Sequence, residues 1–105
     1  MSAPRTRYLI CYDISGPQPG MRRRLSRVRR TLLGVATPLQ YSVFLGELTP
    51  AGRQKLLSIL AHRLDPRYDD LRLYPLPTNA FLKNFGSSLL PSGLYRALQA
   101  ESRSQ

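Results

Sequence analysis

Arg7-Tyr-Leu-Ile-Cys-Tyr-Asp13 and, after a short loop, Met21-Arg-Arg-Arg-Leu-Ser-Arg-Val-Arg-Arg-Thr-Leu-Leu33 decide how this chain reads. The first run is aromatic and aliphatic with almost no polar alternation, the composition of a central strand covered on one face and partly on the other. It stays apolar until its last residue, so Asp13 is expected to emerge from the edge of the core. In the second run Met21, Leu25, Val28 and Leu32 recur at spacings of four, three and four, one stripe of an amphipathic helix. Arg22, Arg23, Arg24, Arg27, Arg29 and Arg30 cover its other faces, and Gly34 is a natural stop. Ser15-Gly-Pro-Gln-Pro-Gly20 between them must be a loop, because its prolines and glycines extend neither element. A carboxylate suited to a hard cation stands beside arginines suited to phosphates. The pairing points to work on nucleic acid.

The composition agrees. The chain has 105 residues, enough for one compact domain with a modest core. Sixteen Lys+Arg against six Asp+Glu leave a net charge of +10, which calls for a polyanionic partner. Only Lys55 and Lys83 are lysines, and the planar guanidinium of the rest favours bidentate phosphate contacts. A GC-rich genome would raise Arg over Lys as well, but it does not explain the net charge. Cys11 is the single cysteine and His62 the single histidine, so one chain builds neither a disulfide framework nor a cysteine-rich zinc site. Cys11 reads as a small core residue and His62 as a solvated helix-terminal one. No apolar segment approaches membrane-spanning length and no signal peptide is legible, so no membrane association is expected and the expected location is the cytoplasm.

Further along, Leu39-Gln-Tyr-Ser-Val-Phe-Leu45 alternates as a strand, with Leu39, Tyr41, Val43 and Leu45 on one side and Gln40, Ser42 and Phe44 on the other. Tyr41 reads as core. Leu48 is out of step with Leu45, which predicts a bulge or break at Gly46. Thr49-Pro50 starts a helix through Leu56, Leu57, Leu60 and Leu64 that ends at Asp65-Pro66. Asp70-Leu-Arg-Leu-Tyr-Pro-Leu76 alternates as a last strand. The order of elements predicts an α+β sandwich, with two helices on one face of an antiparallel sheet, over residues 1–77. Residues 78–105 read as a C-terminal arm: Ala80–Phe85 is a possible extra strand, and a partly ordered tail follows, with a helical turn near Leu94–Leu98.

The Tyr12-Asp13 strand end, the arginine helix, Gln40-Tyr-Ser-Val-Phe44, Glu47-Leu-Thr-Pro50 and Arg72-Leu-Tyr-Pro75 together resemble the small CRISPR-associated Cas-two family. The resemblance covers about residues 7–77, and Gln40–Phe44 between the two helices is its most specific element. It implies a ferredoxin-like βαββαβ sandwich that forms a symmetric homodimer. It also implies a part in spacer acquisition beside a larger integrase subunit and, in several members, magnesium-dependent cleavage of RNA or double-stranded DNA. Residue by residue it implies Asp13 as the catalytic and Mg2+-holding carboxylate, with Tyr12 and Phe44 lining its surroundings. The proline- and glycine-bearing loop Ser15–Gly20 departs from the polar turn of many relatives, so no arginine of that turn carries over. In relatives an extra strand from the C-terminal region pairs with the partner subunit, and Ala80–Phe85 is the candidate for it.

Each site residue has a second reading. Asp13 before Ser15-Gly16 could hydrogen-bond its own backbone as a turn former. One carboxylate is also too little to fix magnesium, a deficit that a two-fold axis near Asp13 would remove. The arginine helix could be only a solvated face. Packing six cations this closely favours phosphate contacts by Arg22, Arg23, Arg24, Arg27 and Arg30. Three functions follow: a metal-dependent nuclease, a catalytically silent dimeric scaffold that holds duplex DNA for the integrase, and a small basic RNA-binding protein of ribosomal type. Leu9, Cys11, Leu71 and Leu73 are expected to form the apolar sheet surface that a dimer would cover.

Overall fold

The computed structural model describes residues 3–81 and residue 83. Its elements are β1 (Thr6–Asp13), α1 (Gly20–Leu33), β2 (Thr37–Gln40), β3 (Val43–Leu48), α2 (Pro50–Ala61) and β4 (Asp70–Pro75). The sheet order is β2-β3-β1-β4, with every neighbouring pair antiparallel. The α+β, βαββαβ sandwich expected from the sequence is the architecture observed. Ala80, Phe81 and Lys83 belong to no strand of this single chain. The remainder of the anticipated arm strand and the tail with its Leu94–Leu98 turn lie outside the described residues.

Parity along β1 fixes the layers. Tyr8, Ile10 and Tyr12 point to the helices, where they meet Val28 and Leu32 of α1, Leu56 and Leu60 of α2, and Phe44 and Leu48 of β3. Ile10, Val28, Leu32, Phe44 and Leu60 are wholly buried, each a contribution of about 1.5–3 kcal/mol. The amphipathic stripe of α1 therefore does what its spacing predicts. α2 starts as its sequence predicts: the Thr49 hydroxyl accepts from the Gly52 amide at 3.0 Å, and proline follows in the first turn. It ends earlier than expected, at Ala61 with His62 as its cap, and Leu64 packs on the core from beyond the helix.

Three expectations change. Leu39–Leu45 is not one strand: Tyr41 and Ser42 form a two-residue turn, and Gln40 pairs with Val43. The chain signals no Asn-Gly or Gly at that turn, so the alternation runs on through it unmarked. Gly46 breaks nothing. Phe44, Gly46 and Leu48 share the helix-facing side of β3, whereas Leu45 is buried on the other, so both leucines are inside without any phase shift. Gly46 is closely packed there: a Cβ would sit 3.2 Å from Ile10 Cδ1, so the buried Ile10 side chain would have to shift to admit it.

The third change concerns the face of the sheet opposite the two helices. Leu71 and Leu73 oppose Tyr12 and Ile10 and pack toward the helices. The outward row is Leu9 between Leu45 and Tyr74, and Cys11 between Val43 and Arg72. Leu9 and Cys11 are on the face the sequence predicts; Val43 and Tyr74 replace the two β4 leucines, and Leu45 is on that face but already buried.

Candidate functional site

Asp13 is the last residue of β1 and is exposed. By parity its side chain lies on the helix-free face. The turn-former role belongs to another residue. Asp69 Oδ1 accepts from the Ser15 amide at 3.2 Å, and Asp69 Oδ2 accepts from the Asp65 amide at 2.7 Å. Its carboxylate, fully buried, is held by Arg24 Nε at 2.8 Å. Among the described residues no salt bridge or hydrogen bond engages the Asp13 carboxylate.

Across the ladder, Asp13 is paired in register with Asp70, whose carboxylate accepts from Arg72 Nε at 2.8 Å. Directly opposed side chains of an antiparallel pair sit about 5 Å apart at Cβ, and like charges there repel. Asp70 was missed in the sequence, although Asp69-Asp70 at the start of the last strand is the one acidic pair in a chain with six acids. Among the described residues no group of three or more His, Cys, Asp or Glu converges. Two carboxylates nevertheless fit magnesium, which takes one or two of them and completes its shell with water and phosphate oxygens.

The arginine helix divides its cations by face. Arg22, Arg23, Arg27 and Arg30 are exposed, while Arg24 and Arg29 are half-buried. Arg24 ties the loop after β1 to the α2–β4 connection: besides Asp69 it donates to the Ser15 carbonyl, and it lies 5.8 Å from the centre of the Tyr68 ring. It thus has an internal anion where the sequence suggested a phosphate. The exposed arginines bound two shallow grooves that meet along Arg22, Ser26 and Arg30. One groove, of about 330 Å³, is walled by Arg23 and Arg27; the other, of about 360 Å³, by Leu25, Leu33 and Tyr41.

Asp13 and these arginines, neighbours in sequence, do not share a face. The six-residue connection from Asp13 to α1 brings Arg22 and Arg23 to the same end of the sheet. They belong to the helix layer, while Asp13 faces the opposite way. Tyr12 and Phe44, expected to line the Asp13 site, are core residues on the helix side, 5% and 0% exposed, with ring centres 6.1 Å apart. Tyr12 reaches the turn from inside, donating its hydroxyl to the Tyr41 carbonyl at 2.8 Å. Tyr41 itself, expected in the core, is 62% exposed because the turn ejects it from both strands.

The CRISPR associated protein Cas2 family model matches residues 6–84. A protein of Nitrosomonas europaea named CRISPR-associated endoribonuclease Cas2 1 is 39% identical over 87 residues, 83% of this chain and 78% of that protein. One of Thermodesulfovibrio yellowstonii named CRISPR-associated endoribonuclease Cas2 2 is 37% identical over 86% of this chain and 94% of its own. The crystal structure of Streptococcus pyogenes Cas2 superposes with a TM-score of 0.65 at 30% identity, covering 70% of this chain and 88% of that one. That of a hypothetical protein from Thermus thermophilus gives 0.69 at 25% identity, covering 84% and 99%. A family match across three-quarters of the chain, running from β1 past β4, agrees with the fold and places this chain in the CRISPR-associated Cas2 family.

Proposed function

We propose that the protein acts in CRISPR spacer acquisition as a homodimeric, magnesium-dependent endonuclease on RNA or double-stranded DNA, with Asp13 as the carboxylate that serves the metal. The observation that carries this reading is the exposed Asp13 carboxylate at the strand end, opposite Asp70 in register. The relatives named as endoribonucleases support the reaction class. A bound magnesium ion would activate water and neutralise charge on the scissile phosphate. Asp13 would hold it, with Asp70 or the second protomer's Asp13 as the other carboxylate. Arg72 keeps Asp70 oriented. The exposed arginines of α1 would hold the phosphate backbone, with Arg22 and Arg23 beside a helix N-terminus that has no acidic residue in its first turn.

The homodimer is proposed from the helix-free face. Half-buried Leu9, Cys11 and Val43, with exposed Tyr74, form an apolar field rimmed by Arg7, Glu47, Arg72 and Asp13. Burying it against a second copy would bring the Asp13 edges toward one axis and leave the arginine helices on the outside. That separation favours a second reading, a silent scaffold that holds duplex DNA for the integrase subunit, because binding by α1 needs nothing from Asp13.

A cleavage assay on RNA and on duplex DNA, with and without magnesium, distinguishes them. The nuclease reading expects magnesium-dependent cleavage that is abolished in Asp13→Asn while duplex binding persists. Binding without cleavage by either protein supports the scaffold. Equal cleavage by both proteins removes Asp13 from the chemistry.

A further inference from the structure

We propose that the β2–β3 turn is a stacking subsite for one unpaired nucleobase, with Tyr41 as its platform. The inference rests on the nucleic-acid reading above but not on cleavage. Tyr41 is an aromatic residue at a turn tip, where the chain has no packing reason to keep it, and most of its surface is in solvent. Its backbone is nonetheless held from two elements. Its carbonyl accepts from Tyr12 of β1 at 2.8 Å and from Arg29 of α1 at 2.7 Å. The Arg29 guanidinium also lies 4.6 Å from the centre of the Tyr41 ring and 5.5 Å from that of the buried Phe44. Arg29 therefore braces the ring against the core.

With the backbone of the turn anchored and the Arg29 guanidinium against the ring, less entropy is lost when a base stacks on the open side, which is what preorganisation contributes to affinity. The position fits the ligand. Tyr41 walls the apolar side of the groove whose other boundary is Arg22 and Arg30, and those two also border the groove of Arg23 and Arg27. A strand whose phosphates follow the arginines turns its bases toward Leu25, Leu33 and Tyr41. Cationic grooves beside aromatic platforms are how proteins hold single strands, and stacking tolerates any base. A fully paired duplex keeps its bases inside and gains nothing from Tyr41. The bound species is accordingly an unpaired stretch of RNA or DNA.

The test uses the full-length protein and an oligouridine RNA of about ten nucleotides, with a blunt DNA duplex for comparison, both followed by fluorescence anisotropy. Tyr41→Ala and Tyr41→Leu are expected to weaken the single strand about five- to hundred-fold, the range for loss of one stacked base, with no change in salt slope or in duplex affinity. Tyr41→Phe keeps the ring and is expected to bind like wild type. An oligonucleotide carrying one 2-aminopurine should lose fluorescence on wild type and not on Tyr41→Leu. If Tyr41→Leu binds the single strand normally while Arg27→Ala/Arg30→Ala binds it poorly, the subsite is overturned and phosphate binding stands. If wild type binds neither oligonucleotide, the nucleic-acid reading falls, and the subsite with it.

Discussion

Gly16, three residues past Asp13, adopts a φ of +106°, and a Cβ there would lie 2.8 Å from the Tyr68 ring carbon and 3.2 Å from Arg24 Nη2. Only glycine fits both the conformation and the space. Gly16→Ala should destabilise the protein by about 1–3 kcal/mol. Urea unfolding checks this, with Gly34→Ala, at an ordinary φ of −76°, as the mild control. Beneath Gly16 the partly buried Arg24 holds the fully buried Asp69 carboxylate, and leaving a buried charge without its partner costs about 3–5 kcal/mol. Arg24→Ala should therefore fail by unfolding early, not by losing phosphate affinity alone. Nearby, the Arg67 side chain donates to Asp65, holding its carboxyl at about 2, below its ordinary 3.8. A lowered folded value means that the stabilisation is complete above pH 4 and disappears as the pH falls through about 2. Acid titration of stability should show a drop in that window that is reduced in Arg67→Ala.

The elements divide the labour of α1 by helical face. Val28 and Leu32 build the core, Arg24 and Arg29 brace loops from within, and Arg22, Arg23, Arg27 and Arg30 remain for a polyanion. Each phosphate neutralised contributes about 0.9 to the log–log salt dependence of duplex binding. Arg27→Ala/Arg30→Ala should lower that slope by about 1.8 and weaken all sequences alike, with thermal stability unchanged. A slope equal to wild type would show α1 to be a solvated face. The division was only partly legible: six arginines on one helix predicted a basic surface, but which two turn inward depended on Asp69 and on the Tyr41 turn, both distant in sequence.

At the scale of the whole molecule, the apolar field on the helix-free side is the surface that calls for a second copy. Leu9 stands at its centre, opposite Leu45 and Tyr74. Leu9→Glu should convert a dimer into a monomer in sedimentation at micromolar concentration, and a wild-type monomer would remove the dimer altogether. Magnesium should raise the melting temperature of wild type, because a cation relieves the repulsion of neighbouring carboxylates. Asp13→Asn should be at least as stable without magnesium and indifferent to it. Unfolding of that variant would assign Asp13 to the fold.

The chain by itself determined β1, the two helices and the layer in which they meet. Alternation in β1 and the stripe in α1 are local periodicities, and burying both on one face leaves a single α+β arrangement. The Thr49-Pro50 start of α2 and the Tyr12-Asp13 strand end are equally local. What the chain left open was every feature set by contacts between distant segments. Asp69 captures Arg24 across 45 residues because a buried carboxylate needs a fixed partner. Asp70 comes opposite Asp13 only through the β1–β4 register. Tyr41 is exposed because it sits in the turn, and the pairing of Gln40 with Val43 puts on one face two residues that the alternation assigns to opposite faces. Periodicity reports which side a residue faces within an element; pairing, turn placement and the choice of ion partner are settled only when the elements meet.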